Sequence, residues 1–248
     1  MKTILLMLCV FLFVCLGQAC AADPDSRCYE LRIYYAEPGK LDALESRFRE
    51  HTCQLFEKHG FANVGYWVPL DNTDKRLVYI ISSPSREAHV KAWKKFMADP
   101  EWKKVAKETE ANGKLVLKVD SIFLKATGFS PAIVPSATQM PRCFELRTYT
   151  AASGKMDALL ARFRDHTLAL FKKHGMTQIG YWTRTGEGAN QLVYILAHKS
   201  KDAAAESFKN FRADPAWTEA KKTSEANGSL TDKVESVFMA PLDFSAIK

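Results

Sequence analysis

From Cys28 to Tyr35 the chain alternates polar and apolar side chains through CYELRIYY, a period of two that predicts a strand ended by Pro38-Gly39. The period then lengthens. Leu41, Leu44, Phe48, Leu55 and Phe56 fall on one side of a helix spanning Lys40 to His59, with Gly60 just past its end. Phe61 to Val68 and Arg76 to Ser82 predict two strands joined by the polar loop Pro69–Lys75. Ser85 caps a second helix carrying Ala88, Ala92, Trp93 and Phe96. Asp99-Pro100 restarts that helix, because Asp caps well and Pro is tolerated at a first helical position. Asn112-Gly113 stops it, and Leu115 to Leu124 is the last strand.

The same pattern returns at a constant offset of 115 residues, so that Cys143 to Met239 repeats Cys28 to Leu124 without a gap, with roughly 45 of about 97 paired positions identical. A period this long means two domains, each with its own core, rather than a solenoid. The reading is α+β: two tandem ferredoxin-like (βαββαβ) domains, residues 27–126 and 142–241, joined by a proline-bearing linker at 127–141. Helices on one face of each sheet leave the other face needing cover. The two sheets are therefore expected to cover each other as a dimeric α/β-barrel-like unit enclosing an inter-domain cavity, unless each pairs with a second chain as a homo-oligomer. On the first strand Leu31 and Ile33 (Leu146 and Thr148) point one way and Glu30, Arg32 and Tyr34 (Glu145, Arg147 and Tyr149) the other. The apolar set is expected to meet the helices, and the polar set to face the shared interior.

The first residues read differently. Lys2, the apolar run Thr3–Leu16 and the small-x-small triplet Ala19-Cys20-Ala21 make a signal peptide over 1–21, predicting an exported, periplasmic or secreted protein. The run is too short for a membrane span, and Gly17, where a lipobox normally has Leu, argues against a lipoprotein at Cys20. Cleavage leaves Cys28, Cys53 and Cys143, an odd set that does not suggest a disulfide framework, although Cys28 and Cys143 occupy equivalent strand starts. No CxxC, HExxH or paired Cys/His spacing calls for zinc or any other metal. The formal charge of +7 is spread over helical lysines interleaved with glutamates, a solvated face, and no nucleic-acid-binding motif accompanies it.

Candidate chemistry lies in the repeated polar set and the aromatics. Glu30–Arg32 and Glu145–Arg147 suit either an ion pair between the sheets or an anchor for a polar ligand group. Tyr34, Tyr149, Trp67, Trp182, Tyr79 and Tyr194 suit either core packing or the lining of a site for a small planar or aromatic ligand. His59 and His174, before the helix-ending glycines, read as structural caps. His51 and His166 lie mid-helix, as proton carriers or as solvent-facing residues. His89 has alanine as its counterpart and carries little weight. His198, where copy one has Ser83, is a titratable group in one half only. No hydrolase triad, phosphate loop or paired-carboxylate site is present, no cofactor is called for, and haem finds no histidine on an inner strand face.

The ordered run of ELRxY, PGK or SGK, FRxHT, KHG, GYW, LVYI, LAHxS, ADPxW and EANG, met twice, resembles bacterial members of the NIPSNAP family. The resemblance implies the dimeric α/β-barrel group, whose wider membership includes small monooxygenases, haem-degrading enzymes, chlorite dismutase-like proteins and decarboxylating or cyclising enzymes. It implies no settled reaction for this branch. Copy one departs from LAHxS at Ser82-Ser83, which confines any role of that histidine to the second half. Two functions follow as expectations. One is a binding or accessory protein holding a small molecule in the inter-domain cavity. The alternative is a cofactor-poor enzyme, monooxygenase- or isomerase-like, using His198, His166 or His51 with Arg32 and Arg147.

Overall fold

The computed structural model describes residues 25–136 and 142–248, so the segment expected to be a signal peptide, 1–21, and residues 137–141 of the expected linker lie outside the described residues. Copy one builds strands β1 (Cys28–Ala36), β2 (Ala62–Pro69), β3 (Arg76–Ser83) and β4 (Val116–Ala126). Its helices are α1 (Leu41–Arg47), α2 (Cys53–Lys58), α3 (Arg86–Ala98) and α4 (Pro100–Thr109). Copy two repeats them as β5 (Cys143–Ala151), α5 (Met156–Arg162), α6 (Leu168–Lys173), β6 (Thr177–Arg184), β7 (Gln191–His198), α7 (Lys201–Ala213), α8 (Pro215–Ser224) and β8 (Thr231–Pro241). No helix among the described residues is long and apolar enough to cross a membrane.

The local rules account for the element ends. Asp99 adopts an extended conformation (ψ 125°), caps α4 by accepting from Glu101 N–H, and is followed by Pro100 at the first helical position. Asp214 and Pro215 do the same for α8. The long first helix is not uniform. Phe48–Thr52 and Phe163–Thr167 are π-helical turns, and in each the threonine hydroxyl donates to the carbonyl five residues back, Thr52 to Arg47 and Thr167 to Arg162, at 3.2 Å. The widened turns stand beside buried Arg47 and Arg162. These side chains pair with Glu110 and Glu225 at 2.9 and 2.7 Å and lie over the Trp102 and Trp217 rings.

All eight strands join one closed antiparallel barrel in the order β1-β3-β2-β8-β5-β7-β6-β4. The halves meet at two short seams. Trp67, Val68 and Pro69 of β2 face Pro241, Ala240 and Met239 of β8, while Leu124, Lys125 and Ala126 of β4 face Arg184, Thr183 and Trp182 of β6. The fold is thus mixed α/β, with a shared barrel and each copy's helices packed outside it.

The facing of the first strand is opposite to that expected. Leu31 and Leu146 belong to one apolar cluster inside the barrel with Tyr29, Trp67, Val78, Ile80, Phe144, Trp182, Val193 and Ile195, against which Ile33 packs. Tyr34, Tyr79 and Tyr66 pack instead with Leu44, Phe48, Phe56 and Phe96 of the helix layer, as Tyr149, Tyr194 and Tyr181 do in copy two. The physical reason is partner supply. Eight strands enclose a lumen just wide enough for side chains to fill, with no helix in it to bring a charge its partners. The helix layer brings imidazole, indole and hydroxyl groups to Glu30 and Glu145.

The lumen is packed. Trp67, Trp182, Phe144, Tyr29, Ile80 and Ile195 are each 0 % exposed, which leaves no water-sized space against them. Each tryptophan lies flat along its own strand, and the glycine two residues earlier makes this fit. A Cβ on Gly65 would meet Trp67 Cη2 at 2.3 Å, and one on Gly180 would meet Trp182 Cη2 at 2.5 Å. This is the physical content of the repeated GYW. Gly65→Ala and Gly180→Ala should each destabilise the protein by about 1–3 kcal/mol through overpacking, read as a lower urea midpoint. An unchanged midpoint for both would mean that the indoles have room to move.

Candidate functional site

The polar sites are two related clusters beneath the helices. In copy one Glu30, 1 % exposed, accepts hydrogen bonds from Arg32 Nη1 at 2.5 Å, from Ser121 Oγ and from Trp93 Nε1 at 2.9 Å, and its Oε2 lies 2.7 Å from His89 Nε2. Strand geometry gathers them. Ser121 stands opposite Arg32 in the β1–β4 register, and α3 crosses above with His89 and Trp93 one turn apart. The other ring nitrogen of His89 lies 3.1 Å from Ser83 Oγ. The Arg32 guanidinium is stacked over Trp93, 4.5 Å from the ring centre.

Copy two reaches the same chemistry by another route. Glu145 accepts from Arg147 and Ser236, and Arg147 lies over Phe208, the counterpart of Trp93. His198 Nε2 approaches Glu145 Oε2 at 3.2 Å, but this imidazole comes from strand β7 rather than from a helix. Where copy one has Ser83 and His89, copy two has His198 and Ala204. The histidine has changed position between the copies and kept its carboxylate.

Burial pushes the Glu30 carboxyl up, but bonding to His89, the Arg32 charge and the Ser121 and Trp93 donors outweigh it and hold the group at about 2. Glu145 is lowered for the same reasons. The Tyr79 and Tyr194 hydroxyls are pushed well above their ordinary range, by burial first. A carboxyl at about 2 when folded and near its ordinary 4.5 when unfolded makes the unfolded state the stronger proton binder. Its contribution is therefore complete above about pH 4.5 and is lost as pH falls toward 2.

The sequence candidates divide accordingly. Glu30, Arg32, Tyr34 and Tyr79 come together under α3, and Glu145, Arg147, Tyr149 and Tyr194 under α7. Trp67 and Trp182 lie across the sheet from them, in the lumen. His51 is half-exposed and His166 exposed on the helix surface, away from both clusters. His198 is 4 % exposed and belongs to the Glu145 cluster. His89, set aside for its alanine counterpart, is fully buried. His59 and His174 reach the capping carboxylates of Asp99 and Asp214 at 2.6 and 2.8 Å rather than helix carbonyls. Cys28, Cys53 and Cys143 carry free thiols. Among the described residues no three His, Cys, Asp or Glu side chains gather as a metal site.

An open space touches the Glu30 cluster through Ser121. A groove of about 660 Å³ lies at the β4–β6 seam, where Arg27, Cys28, Arg86, Ser121, Phe123 and Lys125 of copy one meet Arg184 to Glu187 of copy two. Ser121 lines it while donating to Glu30. No repeated motif announces this groove. Its signal was the positions at which the copies differ.

The geometry defines a tandem α/β-barrel protein with paired buried Glu–Arg–His clusters and a lateral groove at the β4–β6 seam. The NIPSNAP family profile matches residues 29–131 and again 144–246, and the chain belongs to the NIPSNAP family. Among solved structures it is similar to a candidate monooxygenase of Fusobacterium nucleatum, at 10 % identity over 90 % of this chain and 98 % of that one, with a TM-score of 0.60. It is also similar to an anthrone oxidase-like protein, at 12 % identity over 92 % and 96 % with a TM-score of 0.56. A NIPSNAP family protein of Agrobacterium tumefaciens matches at 27 % identity over 45 % and 97 %, with a TM-score of 0.40. No curated protein matches the chain.

Replacing His89 by alanine strips Glu30 of a buried partner and should cost about 2–3 kcal/mol at pH 7. Adding Ser83→His rebuilds the arrangement of copy two and should recover at least half of that loss in urea unfolding. A double variant no more stable than His89→Ala would show that the two histidines are not interchangeable partners of one carboxylate.

Proposed function

We propose that this chain is an exported small-molecule-binding protein whose ligand sits in the inter-domain groove at the β4–β6 seam, outside the barrel. One observation carries the reading: the lumen is packed with side chains at 0 % exposure, whereas the groove offers about 660 Å³, within the range of small-molecule sites. On this reading each repeat is a ferredoxin-like unit, about 27–126 and 142–241. The two units pair as a one-chain version of the dimeric α/β barrel. The Glu–Arg–His clusters then hold α3 and α7 to their sheets, and the planar or aromatic ligand expected for the lumen moves to the seam.

A second reading has its own observation. Ser121 faces the groove and bonds Glu30, which in turn contacts His89, so a titratable pair lies one hydroxyl away from a bound molecule. A cofactor-poor enzyme, in line with the monooxygenase and oxidase labels of the fold's neighbours, would draw on that relay rather than on His51 or His166.

Native mass spectrometry of the protein purified from its own host tests the proposal. The expected spectrum shows a chain cleaved near Ala21 or Ala22 with one retained small molecule, which Thr185→Trp displaces by filling the groove. A retained molecule indifferent to Thr185→Trp would refute the site, and an intact Met1 would refute export.

A further inference from the structure

The two seams began as copies, and only one became a basic groove. At β4–β6 the lining includes Arg27, Arg86, Lys125 and Arg184 against the single carboxylate of Glu187. At β2–β8 the positions matching Lys125 and Arg184 are Ala240 and Pro69, and Arg86 is matched by Lys201. The counterpart of Arg27 is Arg142, which donates to the main-chain carbonyl of Lys248 and to Ser136. Cys143 is buried there, whereas Cys28 is only half-buried in the groove.

The groove cations are oriented without being neutralised. Arg27 alone is paired, with Asp25 at 2.7 Å. Among the described residues Arg86, Lys125 and Arg184 enter no ion pair. The Arg86 guanidinium lies 3.1 Å from the centre of the Phe123 ring. Arg184 donates Nη1 to the neutral amide oxygen of Gln191 at 3.0 Å. Its guanidinium also passes so close to Gly188 that a Cβ there would lie 2.8 Å from Cζ, at a backbone φ of +73°. Three like charges held around one space repel one another unless an anion joins them. Two of the three are fixed by an aromatic ring and an amide, groups that position a guanidinium without cancelling its charge.

Resting on the groove as the ligand seat, we propose that it takes one organic anion per chain. The anion is a carboxylate, sulfonate or phosphate carried on a planar apolar body. The charged end meets Arg184 and Lys125, and the planar body lies toward Phe123 and Arg86. The second seam, with Ala240 and Pro69 in place of Lys125 and Arg184, stays empty of such a ligand.

Two dyes of similar shape test this on the full mature chain: anilinonaphthalene sulfonate, which is anionic, and phenylnaphthylamine, which lacks the sulfonate. The anionic dye should bind with a stoichiometry of one and weaken as ionic strength rises. Arg184→Ala should weaken it by about tenfold, the loss of one charge-assisted hydrogen bond, and leave the neutral dye unchanged. Lys201→Ala, at the other seam, should change neither. Equal affinity for the two dyes, or an Arg184→Ala variant that binds the anionic dye as well as the parent, overturns the anion assignment. If Thr185→Trp still expels both dyes in that case, the groove survives as a ligand seat. Dyes that ignore Thr185→Trp, or that do not bind saturably, overturn the groove and the anion together.

Discussion

Two seams of three residue pairs each close eight strands into one sheet, and the rest of the molecule follows from that closure. A four-stranded sheet with helices on one side would leave its other face wet. Joined edge to edge, the two sheets turn those faces inward and bury Trp67, Trp182, Phe144 and Tyr29 completely. Each large apolar side chain so buried contributes roughly 1.5–3 kcal/mol relative to an exposed one. A lumen closed in this way has no place for an ionised carboxylate, so the charges of β1 and β5 lie under the helices.

Closure also explains why open space is found outside the barrel. Where β4 meets β6 the register covers three residue pairs, and Thr185–Glu187 of the β6–β7 loop share the groove lining with Cys28 and Arg86 of copy one. The gap between that loop, the start of α3 and the β1–β4 edge is the groove. Its lining comes from both copies, so a ligand there senses how the halves are joined. The buried clusters lie behind it. Glu30 and Glu145 each keep an arginine, a serine and a histidine, although the histidine stands on a helix in one copy and on a strand in the other.

Much of the fold was legible in the chain because its signals are local. The Asp99-Pro100 break, the Gly60 and Gly175 helix ends and the first-strand alternation depend on neighbours within a few residues. Which face of β1 turns inward depends on what the helices supply, and that is a long-range fact. Glu30 faces α3 because His89 and Trp93 wait there, fifty-nine and sixty-three residues away. Identity between the copies gave weight to Glu30, Arg32 and Trp67 and took it from His89. The swap was readable only as a paired change, serine to histidine at one position and histidine to alanine six residues on. Likewise Lys125 and Arg184 draw no notice singly; their meaning comes from Ala240 and Pro69 in the other copy.

The lumen is sealed and packed, and the open seam lies outside it. The indole Nε1 atoms of Trp67 and Trp182 are buried there without a hydrogen-bond partner, so only burial protects their protons from solvent. Hydrogen exchange at these two indole groups, followed by NMR on the full chain, reads the seal directly. A packed lumen predicts exchange only through global unfolding, with an opening free energy equal to that from urea denaturation. Exchange within about tenfold of a free indole, in protein that remains folded, would mean that solvent enters the barrel and would contradict the account.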